Sequence, residues 1–360
     1  MKRHASQASS NDANVPKAAP PIATNDELNA ILTQYQNAEF LAVDTEFLRE
    51  RTYYPQLCLI QISDGVDAIA IDPLAPNLDL NPLWDLMRNQ KITKVFHAGN
   101  QDMEIFLHLM GSLPKPIYDT QIAAMVCGLG DQVGYDKLVK AMLNHDIDKT
   151  SRFTDWSKRP LSNRQIFYAL DDVIYLAKLY PLMRSKLEAE NRSHWLDEEY
   201  AKSNDPATYV TAPDAAWQKL KVRNMRPAPL LRLMHLAAWR EREAQSRDLP
   251  RNRVIRDETL IDLAGSNPKD QKDYANIRNF PGGKDGKLVV PISKVLDMVA
   301  AMPSSSLPEA EKRGSAKRPP AAVMELLRVL LKHVPDTHDI APRLIASAEE
   351  LELLASDDDA

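Results

Sequence analysis

The chain has 360 residues, of which 44% are hydrophobic and 26% charged, and its formal net charge is −5. These values are ordinary for a globular protein of two or three domains, and they exclude a polycation that binds nucleic acid over its whole surface. Because the chain has neither a Cys-x-x-Cys pair nor an apolar run of about 18 residues, we expect a cytoplasmic protein without structural zinc, disulfides or a membrane span. We predict no protein partner.

The first half of the chain predicts a single domain built around a sheet. Residues 1–24 lack hydrophobic periodicity, and we predict a disordered tail there. A short helix then leads into three strands, FLAVDTE, LCLIQIS and DAIAIDP, and helices alternate with short strands up to about residue 200. This order predicts an α/β domain with a mixed sheet flanked by helices over residues 25–205.

The second half of the chain has the pattern of an all-α region. Strand signals are few after Asp214, and Pro-Gly-Gly at 281–283 divides this half into residues 206–284 and 285–360. Residues 214–280 contain 14 Lys and Arg against 9 Asp and Glu. Such a balance fits contact with a phosphate backbone, although a solvated helix face is the more common reason for a charge run.

Two acids interrupt the first predicted strand. Asp44 and Glu46 are two residues apart, so both side chains point to the same face of the sheet. Taken alone, this spacing is more typical of a solvent-facing pair. The functional alternative is a hard divalent cation, Mg²⁺ or Mn²⁺, which prefers oxygen ligands and relieves the repulsion between two carboxylates.

Other acids occur where they could converge on this pair. Asp102 opens an amphipathic helix directly after the strand KVFHA, although an acid in a first helical turn is also common for the helix dipole. In the long helix that begins near Ser162, Tyr168 and Asp172 are four residues apart and share a face. Asp171 is rotated by about 100° from Asp172 and competes for the same role.

This order of residues, Asp-x-Glu, then Asp, then Tyr-x-x-x-Asp, resembles the signature of the DEDD exonuclease superfamily in its Tyr-bearing subclass. The flanking segments resemble the ribonuclease D family; they are FLAVDTEFLRERTYYPQLCLIQIS, VFHAGNQDMEIF, YDTQIAA and TDWSKRPLSNRQIFYALDDVIYL. Downstream, LLRLMHLAAWREREAQSRDLPRNRVIRDETLIDLA resembles the helicase-and-RNase-D C-terminal (HRDC) domain. The resemblance covers about residues 25–280.

The resemblance implies a ribonuclease H-like 3′→5′ exonuclease domain over residues 25–205, an HRDC helical bundle over 206–284 and a divergent HRDC-like region over 285–360. It implies that Asp44, Glu46, Asp102 and Asp172 hold two Mg²⁺ or Mn²⁺ ions. Tyr168 would orient the attacking water, since its unperturbed pKa near 10 makes it a weak base.

The implied function is a metal-dependent exoribonuclease that releases nucleoside 5′-monophosphates from RNA 3′ ends, with tRNA precursors as the expected partners. Two alternatives remain open. The first is a DNA 3′→5′ exonuclease of the same superfamily, because a metal site alone does not sense the 2′-hydroxyl. The second is a non-catalytic RNA-binding scaffold that has kept the fold.

Further residues are candidates for substrate contact, each with a structural alternative. Phe47 and Leu48 could wedge against the terminal base or pack in the core. His97 and Asn100 precede Asp102 and could reach the substrate or simply end a strand. The residues Trp156, Lys158 and Arg159 could bracket a base and a phosphate or form a solvated loop.

Overall fold

The computed structural model describes residues 19–148, 150–152, 154–222, 225–281, 286–308 and 319–356. Described residues within 1–48, 56–209 and 318–360 form one compact unit, called here the sheet unit. Described residues within 49–55 and 210–317 form the other, the helical unit. The helical unit therefore includes residues 49–55, which come between the first two strands of the sheet in the chain.

The sheet unit contains a five-stranded sheet in the order β3-β2-β1-β4-β5. Its strands are β1 (Phe40–Leu48), β2 (Gln56–Ser63), β3 (Ala68–Ile71), β4 (Thr93–Phe96) and β5 (Ile117–Asp119). The first three pair antiparallel, whereas β1 pairs parallel with β4 and β4 parallel with β5. The predicted mixed sheet is confirmed, and β1 lies at its centre, where both of its edges are hydrogen-bonded.

Helices cover the sheet and carry most of the sequence between the strands. In chain order they are α1 (Asn25–Tyr35), α2 (Asn81–Arg88), α3 (Asn100–Met110), α4 (Thr120–Val126), α5 (Tyr135–Leu143), α6 (Asn163–Ala189) and α7 (Asp197–Ser203). Two apolar cores result. One contains Leu41 and Val43 of β1, and the other contains Ala42 of β1 with Val173 and Leu176 of α6. Successive residues of β1 thus alternate between the two cores, as a strand requires.

The N-terminal prediction needs a correction for its last residues. Ile22 forms a parallel bridge with Ile71, its N–H donating to the Ala70 carbonyl at 2.8 Å. Thr24 caps α1 through its side chain. These residues therefore belong to the fold, because backbone pairing with an edge strand orders a segment whose composition lacks periodicity. Residues 1–18 of the predicted tail lie outside the described part of the chain.

The long helix α6 begins at a capping box. The Ser162 side chain accepts from Gln165 N at 3.3 Å, and the Gln165 side chain accepts from Ser162 N at 3.0 Å. These two bonds satisfy donors that the first helical turn leaves without partners. Pro181 lies inside the helix, which continues to Ala189, so this proline does not end it.

The helical unit consists of α8 (Pro227–Ser246), α9 (Arg251–Val254), α10 (Asp257–Ser266), α11 (Gln271–Asn276) and α12 (Val289–Ala300). Its core includes Leu233 and Leu236 of α8, Leu260 of α10, and Ile292 and Leu296 of α12. Helix α12 lies beyond the boundary predicted at residue 284, yet it packs in the same core as α8 and α10. The glycines at 282–283 lie outside the described residues.

The last two helices belong to the sheet unit. Helices α13 (Ala321–His338) and α14 (Ala348–Ser356) pack on each other through Met324, Leu351 and Ala355. The N–H of Ala341 donates to the Met125 carbonyl at 2.9 Å. A second HRDC-like domain over residues 285–360 stays a prediction. Within the described ranges, no helix is both long and apolar enough to cross a membrane.

Candidate active site

The central strand β1 presents two acids on one face. Asp44 and Glu46 follow Ala42 at intervals of two residues, so they share the face that packs against α6. Their partners across the antiparallel pair are Gln61 and Leu59, and the register shifts between Glu46 and Phe47. Pairing with β2 on one edge holds the backbone at both acids, and pairing with β4 on the other edge ends at Ala42.

Helix α6 brings the third acid to this face. Carboxylate oxygens of Asp44, Glu46 and Asp172 all lie within 4.8 Å of one another. Tyr168 lies one turn earlier on the same face of α6 and lines the same cavity as Asp172. Tyr135 of α5 donates its hydroxyl to the Asp172 carbonyl and holds the same turn of the helix. Two segments more than a hundred residues apart in the chain thus meet at one cluster of oxygens.

The fourth predicted acid, Asp102, lies in the first turn of α3 and is 7% exposed. Its carboxylate accepts a hydrogen bond from the Thr45 hydroxyl, so it is tied to the strand that carries Asp44 and Glu46. The turn before α3 is held by Asp119, whose carboxylate accepts from Ala98 N at 3.0 Å and from Gly99 N at 2.9 Å. Asp119 thereby fixes where α3 begins.

One cavity of about 560 Å³ collects the five signature residues. Asp44, Glu46, Asp102, Tyr168 and Asp172 all line it. Two of the weaker sequence candidates, Phe47 and His97, line it as well. His97 Nδ1 lies 3.0 Å from the Thr120 hydroxyl, and among the described atoms its buried Nε2 has no hydrogen-bond partner.

The remaining candidates lie outside the lining of this cavity. Leu48 packs in a small core with Trp156, which is 2% exposed and whose ring centroid is 6.1 Å from that of Tyr168. Asn100 is an exposed residue at the start of α3. Lys158 is a surface residue whose ammonium lies 3.7 Å from Asp155. For these residues, substrate contact stays a prediction that the geometry does not support.

Arg159 has a structural role that the sequence did not indicate. Its Nε and one terminal nitrogen donate to the two oxygens of Asp72, each at 2.6 Å, and the same terminal nitrogen donates to the Cys58 carbonyl at 2.6 Å. These two-pronged bonds of the guanidinium attach the loop that carries Arg159 to β2 and to the end of β3. Arg152, seven residues earlier, lines the cavity instead. No signal in the sequence singles out Arg152, because it is one of four cations in this loop.

Family models match the chain in two places. A 3′-5′ exonuclease model matches residues 20–188, and an HRDC domain model matches residues 230–296. The ribonuclease D of Acidiphilium cryptum is 45% identical over 341 residues, which are 94% of this chain and 86% of that protein. The ribonuclease D of Gluconacetobacter diazotrophicus is 43% identical over 93% of this chain and 85% of that protein.

The chain belongs to the ribonuclease D family.

The structure of Escherichia coli RNase D agrees with this conclusion. It superposes with a TM-score of 0.82 at 32% identity, covering 93% of this chain and 89% of that one. This ribonuclease D-family chain is therefore a 3′→5′ exoribonuclease that binds RNA, and its exonuclease family implies divalent metal ions. The expected enzyme class and the expected pairing of an exonuclease domain with an HRDC domain are confirmed.

The site of this ribonuclease D-family enzyme is electrostatically unfavourable without a cation. Burial, and then the charges of Asp44, Asp172 and Asp102, raise the pKa of Glu46 to about 10. Burial and Asp171 raise the pKa of Asp172 to about 7, and the pKa of Asp102 is raised by burial and by Asp44. Without a cation these carboxyl groups therefore favour the protonated form. A divalent cation among them would favour the ionised form instead.

Proposed function

We propose that Asp44, Glu46, Asp102 and Asp172 hold two divalent cations, Mg²⁺ or Mn²⁺, and that RNA 3′ ends are hydrolysed there. The observation that carries this proposal is the approach of three half-buried carboxylates to within 4.8 Å, each supplying a hard oxygen donor. Such a cluster is stable in ionised form only when positive charge lies between its members. Asp102 lines the same cavity and completes the donor set.

The side chains around the acids have separate tasks in this proposal. When bound, the cations supply an activated water and neutralise charge on the phosphate and on the leaving oxygen. Tyr168 keeps its proton, because burial and the carboxylates raise its pKa, so its hydroxyl orients the water and does not act as a base. Arg152, a further cation lining the cavity, attracts the phosphodiester. The product is a nucleoside 5′-monophosphate.

For the substrate, we propose structured RNA precursors with free 3′ tails, tRNA precursors among them. The RNase D of Escherichia coli is described as an exoribonuclease involved in structured RNA processing. A cavity of about 560 Å³ is in the range that holds one small organic ligand, which suits a single terminal nucleotide. A cytoplasmic location, where such precursors occur, stays a prediction.

The experiment uses a 5′-labelled tRNA-like hairpin with a 3′ tail and a DNA of the same sequence. We expect a ladder of single-nucleotide steps from the RNA with Mg²⁺ or Mn²⁺, and none with EDTA. Asp172→Asn should reduce the rate by more than about 100-fold, since even partners outside a metal's ligand shell cost 10–100-fold. Asp171→Asn is the matched control, because Asp171 neighbours Asp172 but does not line the cavity.

Three results would contradict the proposal. Full activity in EDTA would show that the reaction needs no metal. Full activity of a folded Asp172→Asn protein would show that Asp172 is not a required ligand. Equal digestion of the DNA would favour the general exonuclease alternative. Circular dichroism of both variants shows whether a lost rate reflects chemistry or unfolding.

A further inference from the structure

The first part of the loop between α5 and α6 brings a cation to the carboxylate cavity. Arg152 and Ile147 line that cavity, and both belong to residues 144–154, called here the Arg152 segment. The structure describes this segment apart from residues 149 and 153. The segment belongs to the sheet unit, which also contains the acids. Contacts within one unit therefore determine where Arg152 lies.

Gln165, in the first turn of α6, connects the Arg152 segment to the helix. Its side-chain oxygen accepts from Ser162 N in the capping box, and its amide nitrogen donates to the Thr154 hydroxyl at 3.2 Å. The Thr154 hydroxyl in turn donates to the Ser151 carbonyl at 3.0 Å. Ser151 is 3% exposed and directly precedes Arg152 in the chain. This series of hydrogen bonds therefore ends at buried backbone beside the cation.

Arg164, the neighbour of Gln165, makes a second connection to the same segment. One of its terminal nitrogens donates to the Thr150 hydroxyl and lies 3.5 Å from the Asp148 carboxylate. The Thr150 N–H donates to the same carboxylate at 2.9 Å. Because the side chains of Arg164 and Asp148 are 41% and 60% exposed, their ion pair contributes little, and the bond to the Thr150 hydroxyl is the stronger contact.

A third contact holds the beginning of the Arg152 segment. The His145 ring stacks on the ring of Tyr175, which also lies on α6, with centroids 4.3 Å apart and an interplanar angle of 23°. Both ends of the segment are thus attached to one helix. Since the same helix carries Asp172, the cation and this acid have a common support.

The backbone of the Arg152 segment matters because the Arg152 side chain is exposed. A long, exposed arginine loses rotamer freedom when it binds a phosphate, and a loosely held backbone adds to that loss. Bonds that fix the backbone beforehand therefore strengthen the contact. Thr154, Arg164 and Gln165 are not among the residues that line the cavity, so any effect they have on the substrate passes through the segment.

We propose that Thr154, Arg164 and Gln165 are positioning residues, which hold the Arg152 guanidinium where the phosphodiester at the RNA 3′ end binds. This inference rests on the proposed function, in which Arg152 attracts that phosphodiester. Loss of these contacts weakens the binding of RNA and leaves the metal-binding acids unchanged.

The test measures KM and kcat for Mn²⁺-dependent hydrolysis of a single-stranded RNA of about 8 nucleotides, over a salt series. Arg152→Gln sets the upper limit: the loss of one charge should make the slope of log KM against log salt shallower by about 0.7, which is about eightfold in KM at about 50 mM salt. Thr154→Val removes both hydroxyl bonds and keeps the shape of the side chain. We expect Thr154→Val and Arg164→Gln each to raise KM about threefold to eightfold, with kcat unchanged.

Two matched variants and one binding measurement accompany these changes. Thr154→Ser keeps the hydroxyl and should keep the wild-type KM. Arg184→Gln removes another arginine of α6, one that is 45% exposed and pairs with Glu188 at 2.8 Å, and it should also keep the wild-type KM. The calorimetric Mn²⁺ affinity of Thr154→Val should equal that of the wild type, because the segment supplies none of the proposed ligands.

A double-mutant cycle shows whether Thr154 acts through Arg152. When Thr154→Val is added to Arg152→Gln, KM should change by less than about twofold, since the group that Thr154 positions is already absent. The same three- to eightfold increase in the Arg152→Gln background would overturn the inference. So would a wild-type KM in both Thr154→Val and Arg164→Gln.

Two other outcomes also overturn it. If Thr154→Val loses both Mn²⁺ affinity and kcat, Thr154 supports the fold of the acid site and does not position Arg152. If Arg152→Gln keeps the wild-type KM, the segment has no cation to deliver, although metal-dependent hydrolysis as proposed would stand. Conversely, full activity in EDTA would refute the metal site and leave the comparison of KM values intact.

Discussion

Replacing Asp119 by alanine tests how the fold places the acid at the start of α3. The Asp119 carboxylate accepts from Ala98 N, Gly99 N and Gln121 N, at 3.0, 2.9 and 2.8 Å. It therefore caps α4 and also holds the turn that precedes Asp102. The backbone of this turn is strained at Ala98, whose φ is +54°, and is close to its neighbours at Gly99. A Cβ added to Gly99 would lie 2.8 Å from the Cβ of Phe96.

The expected loss of stability follows from the groups that Asp119→Ala leaves without an acceptor. Loss of a helix cap costs about 1 kcal/mol, and an unsatisfied buried N–H, here that of Gly99, costs about 1–3 kcal/mol. We therefore expect the free energy of unfolding to fall by about 2–4 kcal/mol. If the relaxed turn moves Asp102 by about 1 Å, kcat should fall by about 100-fold, with a smaller change in KM.

Urea unfolding followed by circular dichroism measures the first quantity, and steady-state hydrolysis of a short RNA with Mn²⁺ measures the second. Asp79→Ala is the control, since this exposed aspartate accepts from Asn81 N at 3.0 Å and is not among the residues that line the cavity of the acids. It should change stability by about 1 kcal/mol or less and leave kcat unchanged. An Asp119→Ala protein that is destabilised but fully active would refute the reasoning, because the turn would then not determine the position of Asp102.

Two further predictions concern the acids and their tyrosine. Tyr168→Phe removes the hydroxyl of a residue that lines the cavity with the acids, so we expect kcat to fall about 100-fold while the calorimetric Mn²⁺ affinity stays within about threefold. Lost Mn²⁺ binding would make Tyr168 structural. Since the metal-free pKa values of Asp172 and Glu46 are raised to about 7 and about 10, protons must leave before a cation binds. The Mn²⁺ affinity should therefore rise as the pH increases from about 6 to 8, and a flat profile over that range would count against a site built from these carboxylates.

Local patterns predicted the elements of the sheet unit well. The alternation in β1 and the 3.6-residue period of α6 are local properties, since they depend on which face of a single element is buried. The same patterns indicated that Asp44 and Glu46 share a face, as do Tyr168 and Asp172. The start of α6 near Ser162 was equally predictable, and the structure gives Ser162 as its cap, with its capping partner Gln165 three residues away.

Predictions about loops were weaker, because a loop's partners come from distant parts of the chain. Arg159 and Arg152 occur in the same loop and look alike in the sequence. Arg159 donates hydrogen bonds to Asp72, 87 residues away, whereas Arg152 lines the cavity. The sequence likewise marked the arginines of α8 and α9 as a basic surface, whereas the fold pairs Arg240 and Arg251 with Asp257 and Glu241.

The sequence by itself determined the family, the fold class and five residues in an order that few unrelated chains share. Both the signature and the hydrophobic periodicity depend only on the order and spacing of residues along the chain. Only the tertiary structure decided that three carboxylates approach within 4.8 Å and that residues 49–55 join the helical unit. The reason is physical: spacing along one strand or helix gives the direction of a side chain. The distance between side chains on different elements depends on how those elements pack.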